Sequence, residues 1–179
     1  MTTYVAFLRG INVGGNRVIK MEELTKVFKS LKYTNIIPVL ATGNIIFHCD
    51  EKKKDLLIKA IEEKLQKTFG HQIWVILQTG EEIKKLVASE PFKKITIAPE
   101  TRLYITFLRE TPTESLKIPY TSPEKNFRII RDDNHTLISV LTLIPGMQTT
   151  DAMNIIEKTY GKKVTTRNWN TIIKIAAKM

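Results

Sequence analysis

The stretch of sequence best suited to ligand chemistry is a glycine-rich loop with an arginine at each end, residues 9–17. Glycines let backbone N–H groups approach an anion closely, and a neighbouring guanidinium adds charge-assisted hydrogen bonds. The spacing of Gly10 and Gly15 is that of a P-loop, but Asn16 and Arg17 stand where that motif requires Lys and Ser/Thr. We therefore expect an anion site and not an ATPase, formed by Arg9, Gly10, Asn12, Gly14, Gly15 and Arg17.

Two further polar segments could complete this site. Thr42-Gly43-Asn44 lies between two apolar runs, and residues 165–171 precede an apolar helical stripe. Gly43 and Asn44 are also typical of a hairpin tip, and Asn168 is typical of a helix N-cap, whose helix dipole favours an anion. If the three segments converge in space, Gly43, Asn44, Arg167, Asn168 and Asn170 would add hydrogen bonds and charge to the loop. Otherwise, the glycine loop and the Arg167 segment could be architectural and clamp two domains together.

The elements that position these segments follow from hydrophobic periodicity. Residues 4–8 and 73–77 are continuous apolar runs, typical of strands buried on both faces. Residues 35–40 and 44–48 predict a hairpin, in which Pro38 favours an edge strand. Two stripes at helical spacing, residues 24–31 and 57–65, separate these strands, and Gly70 follows the second stripe. The order β-α-β-β-α-β predicts a ferredoxin-like plait.

The second half of the chain repeats this opening. Residues 104–109 match residues 4–9 at four of six positions. A capping box at Thr79 and Glu82 predicts a connecting helix. After it we predict a strand, one helical turn within residues 112–117, a hairpin over residues 127–143, a helix, a short strand over residues 163–165 and a last helix. We predict an α+β fold of two tandem ferredoxin-like (βαββαβ) plaits, the second with a weakened first crossover. The first domain would span residues 1–79, and the connector with the second domain residues 80–179.

The chain resembles an uncharacterised bacterial family, domain of unknown function 1697. The residues that carry the resemblance are the opening Tyr4 to Gly15, the hairpin Thr42-Gly43-Asn44 and the closing Thr166 to Thr171. The resemblance implies tandem ferredoxin-like domains and implies no activity. Ala41 and Thr42 depart from the Gln and Ser that members tend to carry, which argues against a polar role for position 41.

Composition limits the classes of protein that fit. The chain has 179 residues with 42% hydrophobic and 26% charged, which are globular averages. Its longest uncharged stretches are interrupted by polar residues, so we expect no membrane span. The N-terminus lacks the features of a signal peptide, and the single cysteine, Cys49, cannot form an intrachain disulfide, so we expect a cytoplasmic protein.

Catalytic and metal chemistry find little support in the residue pattern. The three histidines are scattered and lack paired ligand spacing, so no metal site is expected. Asp132 and Asp133 fall in a predicted turn, where aspartate is favoured for backbone reasons. Neither a nucleophile motif nor a general base is identifiable, so catalytic residues remain unknown, as does any cofactor.

The charge balance of 28 basic and 18 acidic residues gives a net charge of +10, spread over both halves. Such a field attracts anions in general. We expect a small anionic, phosphorylated ligand at the Arg9–Arg17 loop. The alternative is a nucleic-acid backbone held in a basic groove between the domains. Base recognition is not expected, since the aromatic side chains on which an RNA-recognition motif stacks bases are absent from the first and third strands. An enzyme, a transferase or hydrolase acting on a phosphorylated substrate, is the other alternative. The pattern does not indicate an oligomeric state.

Overall fold

The structure is a computed structural model that describes residues 1–12, 18–112, 115–133, 135–146 and 149–179. The chain divides into two compact units. Unit 1 comprises Met1–Leu86 and Ile173–Met179, and unit 2 comprises Val87–Ile172. The division at residues 79 and 80 made from the sequence stays a prediction about domains.

Unit 1 contains a four-stranded antiparallel sheet in the order β2-β3-β1-β4. The edge position of β2 agrees with the presence of Pro38 in it. The elements are β1 (Thr2–Leu8), α1 (Met21–Ser30), β2 (Thr34–Pro38), β3 (Asn44–Cys49), α2 (Lys54–Phe69), β4 (Val75–Thr79) and α3 (Gly80–Ala88).

One face of this sheet packs in a core with the apolar stripes of α1 and α2. Phe28 of α1 contacts Phe47 of β3 edge to face, with ring centroids 5.3 Å apart. Alternate residues of β1, Tyr4, Ala6 and Leu8, belong to this core. Val5 and Phe7 between them are equally buried, so the continuous apolar run reflects a strand covered on both faces, as predicted. Each fully buried large apolar side chain contributes about 1.5–3 kcal/mol.

The ends of the helices follow the predicted local signals. Gly70 caps α2 in the left-handed conformation, with φ of 76°. The capping box that begins α3 is formed on both sides, because the Glu82 N–H donates to Thr79 Oγ1 over 3.1 Å and the Thr79 N–H donates to Glu82 Oε2 over 2.7 Å.

Unit 2 contains a five-stranded antiparallel sheet in the order β6-β7-β8-β5-β9. No helix lies between β5 and β7 in the part of the chain that the structure describes; instead, the two-residue strand β6 precedes β7. Residues 113 and 114 of the predicted helical turn lie outside the described residues. The elements are β5 (Thr101–Leu108), β6 (Tyr120–Thr121), β7 (Phe127–Asp132), β8 (Thr136–Thr142), α4 (Thr149–Tyr160), β9 (Val164–Asn168) and the start of α5 (Trp169–Ala176), a helix that belongs to unit 1 from Ile173 onward.

The two units repeat one hydrogen-bonding scheme at the ends of β1 and β5. The Leu8 N–H donates to Gly43 O and the Leu108 N–H donates to His135 O, both over 2.8 Å. One residue later, the N–H groups of Arg9 and Arg109 donate to Trp74 O and Lys163 O, over 2.9 and 3.0 Å. The internal repeat suggested by the sequence match therefore extends to the loops that surround each strand end. The fold is mixed α+β, with two antiparallel sheets and five helices in the described residues.

Candidate anion-binding site

The end of β1 in unit 1 is surrounded by residues in the left-handed backbone conformation. Gly10, Asn12, Leu40 and Gly43 have φ values of 69°, 55°, 59° and 75°. The first two begin the glycine loop and the last two belong to the loop between β2 and β3. Left-handed residues let a chain reverse within a few positions, which is how the described start of the glycine loop and the loop between β2 and β3 both turn at this end of the sheet.

Asn12 joins these two loops through its side-chain amide. Its Nδ2 donates to Ile19 O over 2.9 Å and to Ala41 O over 2.7 Å, and its Oδ1 accepts from the Ile19 N–H over 2.7 Å. The amide therefore closes the loop between residues 12 and 19 and attaches it to the hairpin. Both amide hydrogens are used in these bonds, so Asn12 positions the loop instead of donating to a ligand.

Gly43 and Asn44 have a similar structural role. Asn44 is fully buried, and its Nδ2 donates to Val39 O over 2.9 Å and to Thr42 Oγ1 over 3.1 Å. A Cβ added at Gly43 would lie 2.8 Å from Ile11 Cδ1 and 3.0 Å from Leu8 Cβ. Glycine is required here by both conformation and space.

Arg9 is the described loop residue that brings charge to this end of the sheet. It follows β1 directly and is half-buried. Residues 1–21 and 31–49, which supply β1, the glycine loop and the hairpin, contain no Asp or Glu. Gly10 is exposed, and a Cβ at that position would meet no atom within 4 Å. Gly14, Gly15 and Arg17 lie outside the described residues.

Arg167, Asn168 and Asn170 lie in unit 2, at the junction of β9 and α5. The predicted strand here ended at Thr165, but β9 extends to Asn168 and places Arg167 opposite Ile105 of β5. The Arg167 Nη1 donates to Thr165 Oγ1 over 2.6 Å and to Thr166 O over 2.9 Å. Asn168 caps α5 as predicted, because its Oδ1 accepts from the Asn170 N–H over 2.9 Å.

The electrostatic surroundings of Arg167 are unusual. Loss of solvent around the guanidinium lowers the pKa of Arg167 to about 10, although the residue as a whole keeps partial exposure. The charge remains at neutral pH in an environment that disfavours it. The two hydrogen bonds described above go to a hydroxyl and a carbonyl, which are neutral acceptors. The first turn of α5 beside it contains no acidic residue.

The structure brings together no group of three or more His, Cys, Asp or Glu side chains that could hold a metal ion in its described residues. Cys49 is buried, and burial raises the pKa of its thiol. Asp133 pairs with Arg131, and burial raises the pKa of Asp132. No helix within the described ranges has the length and apolar character needed to cross a membrane.

Sequence reasoning missed two contributors to this geometry. Thr165, which accepts from Arg167, is two positions away on the same strand, so a strand prediction extended to Asn168 would have placed both side chains on one face. Ala41 contributes its backbone carbonyl to Asn12, and no sequence pattern signals such a contact. The loop and the hairpin meet in unit 1. The convergence of all three segments on one ligand stays a prediction.

Comparison with known proteins agrees with the resemblance found in the motifs. The model of the family described as protein of unknown function (DUF1697) matches residues 1–131, and the chain belongs to this family. No curated protein sequence matches the chain. Among solved structures, conserved bacterial protein SP0830 from Streptococcus pneumoniae is similar in fold, with a TM-score of 0.74 at 19% identity over 99% of this chain and 98% of that one.

Proposed function

We propose that this protein binds a small anionic, phosphorylated ligand, for which the Arg9 segment of unit 1 and the Arg167 segment of unit 2 are each a candidate site. The observation that carries the proposal is the position of Arg167 just before the amino-terminal end of α5, with its side chain bonded to Thr165 and Thr166 on the same strand. Two features add to the attraction: the N–H groups of the first turn of α5 carry partial positive charge, and Asn170 in that turn is exposed.

Unit 1 supports the same ligand class. Residues 1–21 and 31–49, which supply β1, the glycine loop and the hairpin, contain no carboxylate. On the other side of β1, the Val75 N–H of β4 donates to Glu62 Oε1 over 2.8 Å. The Asn12 side chain bonds to Ile19 and to Ala41, which joins the described residues on either side of the loop to the hairpin. The structural roles of Asn12 and Asn44 leave the arginines and backbone N–H groups as the proposed ligand contacts.

A thermal-shift screen with inorganic phosphate, sugar phosphates and nucleotides tests the proposal. A ligand at 100 times its dissociation constant stabilises the folded state by about 2.7 kcal/mol. We expect Arg167→Met and Arg9→Met each to weaken binding by about 10- to 100-fold, from about 1.5–3 kcal/mol per charged hydrogen bond. Arg128→Met is the matched control, because Arg128 is an exposed arginine on β7, away from both segments in sequence, and its removal changes net charge equally.

The ligand-free stability of the variants separates binding from architecture. If Arg167 serves a ligand and not the fold, ligand-free Arg167→Met should melt close to the wild-type temperature. A loss of about 1–3 kcal/mol in that variant would indicate an architectural clamp instead. A screen without any shift, or equal ligand affinity in Arg167→Met and Arg128→Met, would contradict the proposal.

The two alternative functions give different results. A nucleic-acid backbone binder neutralising several phosphates should lose oligonucleotide affinity steeply between low and moderate salt. A small-anion site should bind oligonucleotides weakly at any salt concentration. An enzyme would convert a ligand found in the screen, which product analysis after incubation would detect.

We also propose a finer description of the fold and location. Each unit is a ferredoxin-like plait, supported by the order β2-β3-β1-β4 in unit 1 and the matching order β7-β8-β5-β9 within the sheet of unit 2. The segment containing β6 would replace the first crossover helix in the second plait. A cytoplasmic location is supported by the single, buried and reduced thiol of Cys49.

A further inference from the structure

A cavity of about 300 Å³ lies beside the end of β5, within unit 2. Two segments line it, one that follows β5 and one at the carboxyl-terminal end of α4. Such a volume is enough for one small molecule. The polar side chains of its lining are those of Glu110, Thr111, Lys158, Thr159, Tyr160 and Lys163.

The internal repeat shows what distinguishes this place from its equivalent in unit 1. Because the N–H groups of Arg9 and Arg109 make corresponding hydrogen bonds, Ile11 and Thr111 occupy equivalent positions two residues later. Ile11 is 1% exposed and lies close to Gly43, whereas Thr111 is exposed. Unit 2 therefore has a hydroxyl in a cavity wall where unit 1 has a buried apolar side chain.

The charges in the cavity wall compensate one another. Lys163 Nζ donates to Glu110 Oε1 over 2.5 Å. Lys158 lies in the last turn of α4, where its positive charge is opposite to the partial negative charge of the helix end. A hydroxyl group can join such a pair without separating it, because it donates to a carboxylate and accepts from an ammonium at the same time. The wall therefore favours a ligand with several hydroxyls over a simple ion.

The remaining wall combines hydroxyls with apolar surface. Thr111 Oγ1 lies 3.3 Å from His135 Nε2, and the Tyr160 hydroxyl accepts from the Leu116 N–H over 3.2 Å. These contacts hold the two side chains at the edge of the cavity. Pro112 and the ring of Tyr160 are half-buried and supply apolar surface beside the hydroxyls. A sugar ring has the matching combination, because it carries hydroxyls at its edge and C–H groups on its faces.

We propose that this cavity binds a neutral monosaccharide. Neighbouring hydroxyls of the sugar would bond to Glu110 and Lys163, and one face of its ring would cover Pro112. Neither Arg9 nor Arg167 lines the cavity, so the sugar site and the proposed anion site are independent.

Saturation-transfer NMR with D-glucose, D-galactose, D-mannose and D-ribose tests the sugar site, and calorimetric titration then measures the affinity of each sugar that binds. Glu110→Gln and Lys163→Met should each weaken binding about tenfold or more, because each removes a charge-assisted hydrogen bond. Glu124→Gln and Lys94→Met are the matched controls, since both residues are exposed in unit 2 and lie outside the cavity lining. Circular dichroism checks the fold of all four variants, and an exposed ion pair contributes too little stability for its loss to unfold the chain.

The outcomes separate the sugar site from the anion site. A sugar that binds wild type and both controls equally, and binds Glu110→Gln and Lys163→Met more weakly, would support the proposal. Absence of binding by all four sugars would overturn it and leave the anion site untouched. Equal affinity in Glu110→Gln and Glu124→Gln would overturn it as well. Binding of glucose 6-phosphate that is lost in Lys163→Met, without binding of any free sugar, would show an anion site in this cavity and contradict a neutral ligand.

Discussion

Replacing Gly43 by alanine should lower the free energy of unfolding by about 2–5 kcal/mol. Two separate effects add to this figure. An L-residue at φ of 75° costs about 1–2 kcal/mol, because its Cβ crowds the following carbonyl. The new Cβ would also lie 2.8 and 2.9 Å from Ile11 Cδ1 and Cγ1, and overpacking in a dense core costs about 1–3 kcal/mol.

The two effects can be measured apart with matched glycines. Gly10 and Gly70 have φ values of 69° and 76°, but a Cβ at either position would meet no atom within 4 Å. Gly10→Ala and Gly70→Ala should therefore show the conformational cost alone, about 1–2 kcal/mol. Adding Ile11→Val to Gly43→Ala removes the nearest atom and should recover part of the excess as a favourable coupling energy.

Urea unfolding followed by tryptophan fluorescence and by circular dichroism is the assay for all of these variants. Trp74, whose carbonyl accepts from Arg9, lies in unit 1, and Trp169 lies in unit 2, so comparison with circular dichroism checks for a single transition. If Gly43→Ala loses no more stability than Gly70→Ala, the close packing of Ile11 on the hairpin does not have the energetic weight assigned to it.

Two further predictions follow from other contacts. Asn12→Ala should lose about 1–3 kcal/mol because it leaves the Ile19 N–H without its acceptor. Asn12→Asp should lose at least as much, because its second carboxylate oxygen would face the carbonyl oxygens of Ile19 and Ala41; wild-type stability of either variant in urea unfolding would contradict this role. Partial burial acts to raise the pKa of Glu82, but hydrogen bonds from Lys54 and Thr79 outweigh it and lower that pKa. Glu82 should therefore stabilise the fold fully above the carboxyl pKa of the unfolded chain, and this stabilisation should be lost as pH falls through the lower, folded value. The melting temperature of Glu82→Gln should then vary less with pH on the acid side than that of wild type. An equal acid-side slope in the two proteins would argue against this role of Glu82.

Elements with a strong local period were predictable from the sequence. The stripe of Leu24, Val27 and Phe28 identifies α1 because one helical face repeats within four residues, and all three side chains are buried. The capping box at Thr79 likewise depends on residues three positions apart. Such signals lie within one element, so they do not require knowledge of the tertiary structure.

The elements that were missed depend on partners distant along the chain. We expected strand β9 to end at Thr165, because Asn168 signals a helix cap. In the structure Thr166 and Arg167 still pair with β5, and Asn168 caps the helix that begins directly after the strand. Strand β6 has only two residues and is defined by its pairing with Ile129 and Arg128. The positive φ of Leu40 has no local signal at all, because leucine does not favour it.

The candidate site shows why short polar side chains were ambiguous as ligand contacts and arginine was less so. Asn and Ser or Thr side chains reach neighbouring backbone groups, and Asn12, Asn44 and Asn168 all bond to the backbone in this way. A loop rich in such residues therefore has a structural explanation before it needs a functional one. Turn chemistry does not explain Arg167 in this way, because burial lowers its pKa and so disfavours the charged form. Its variant, more than any asparagine variant, therefore separates the proposed binding site from a structural role.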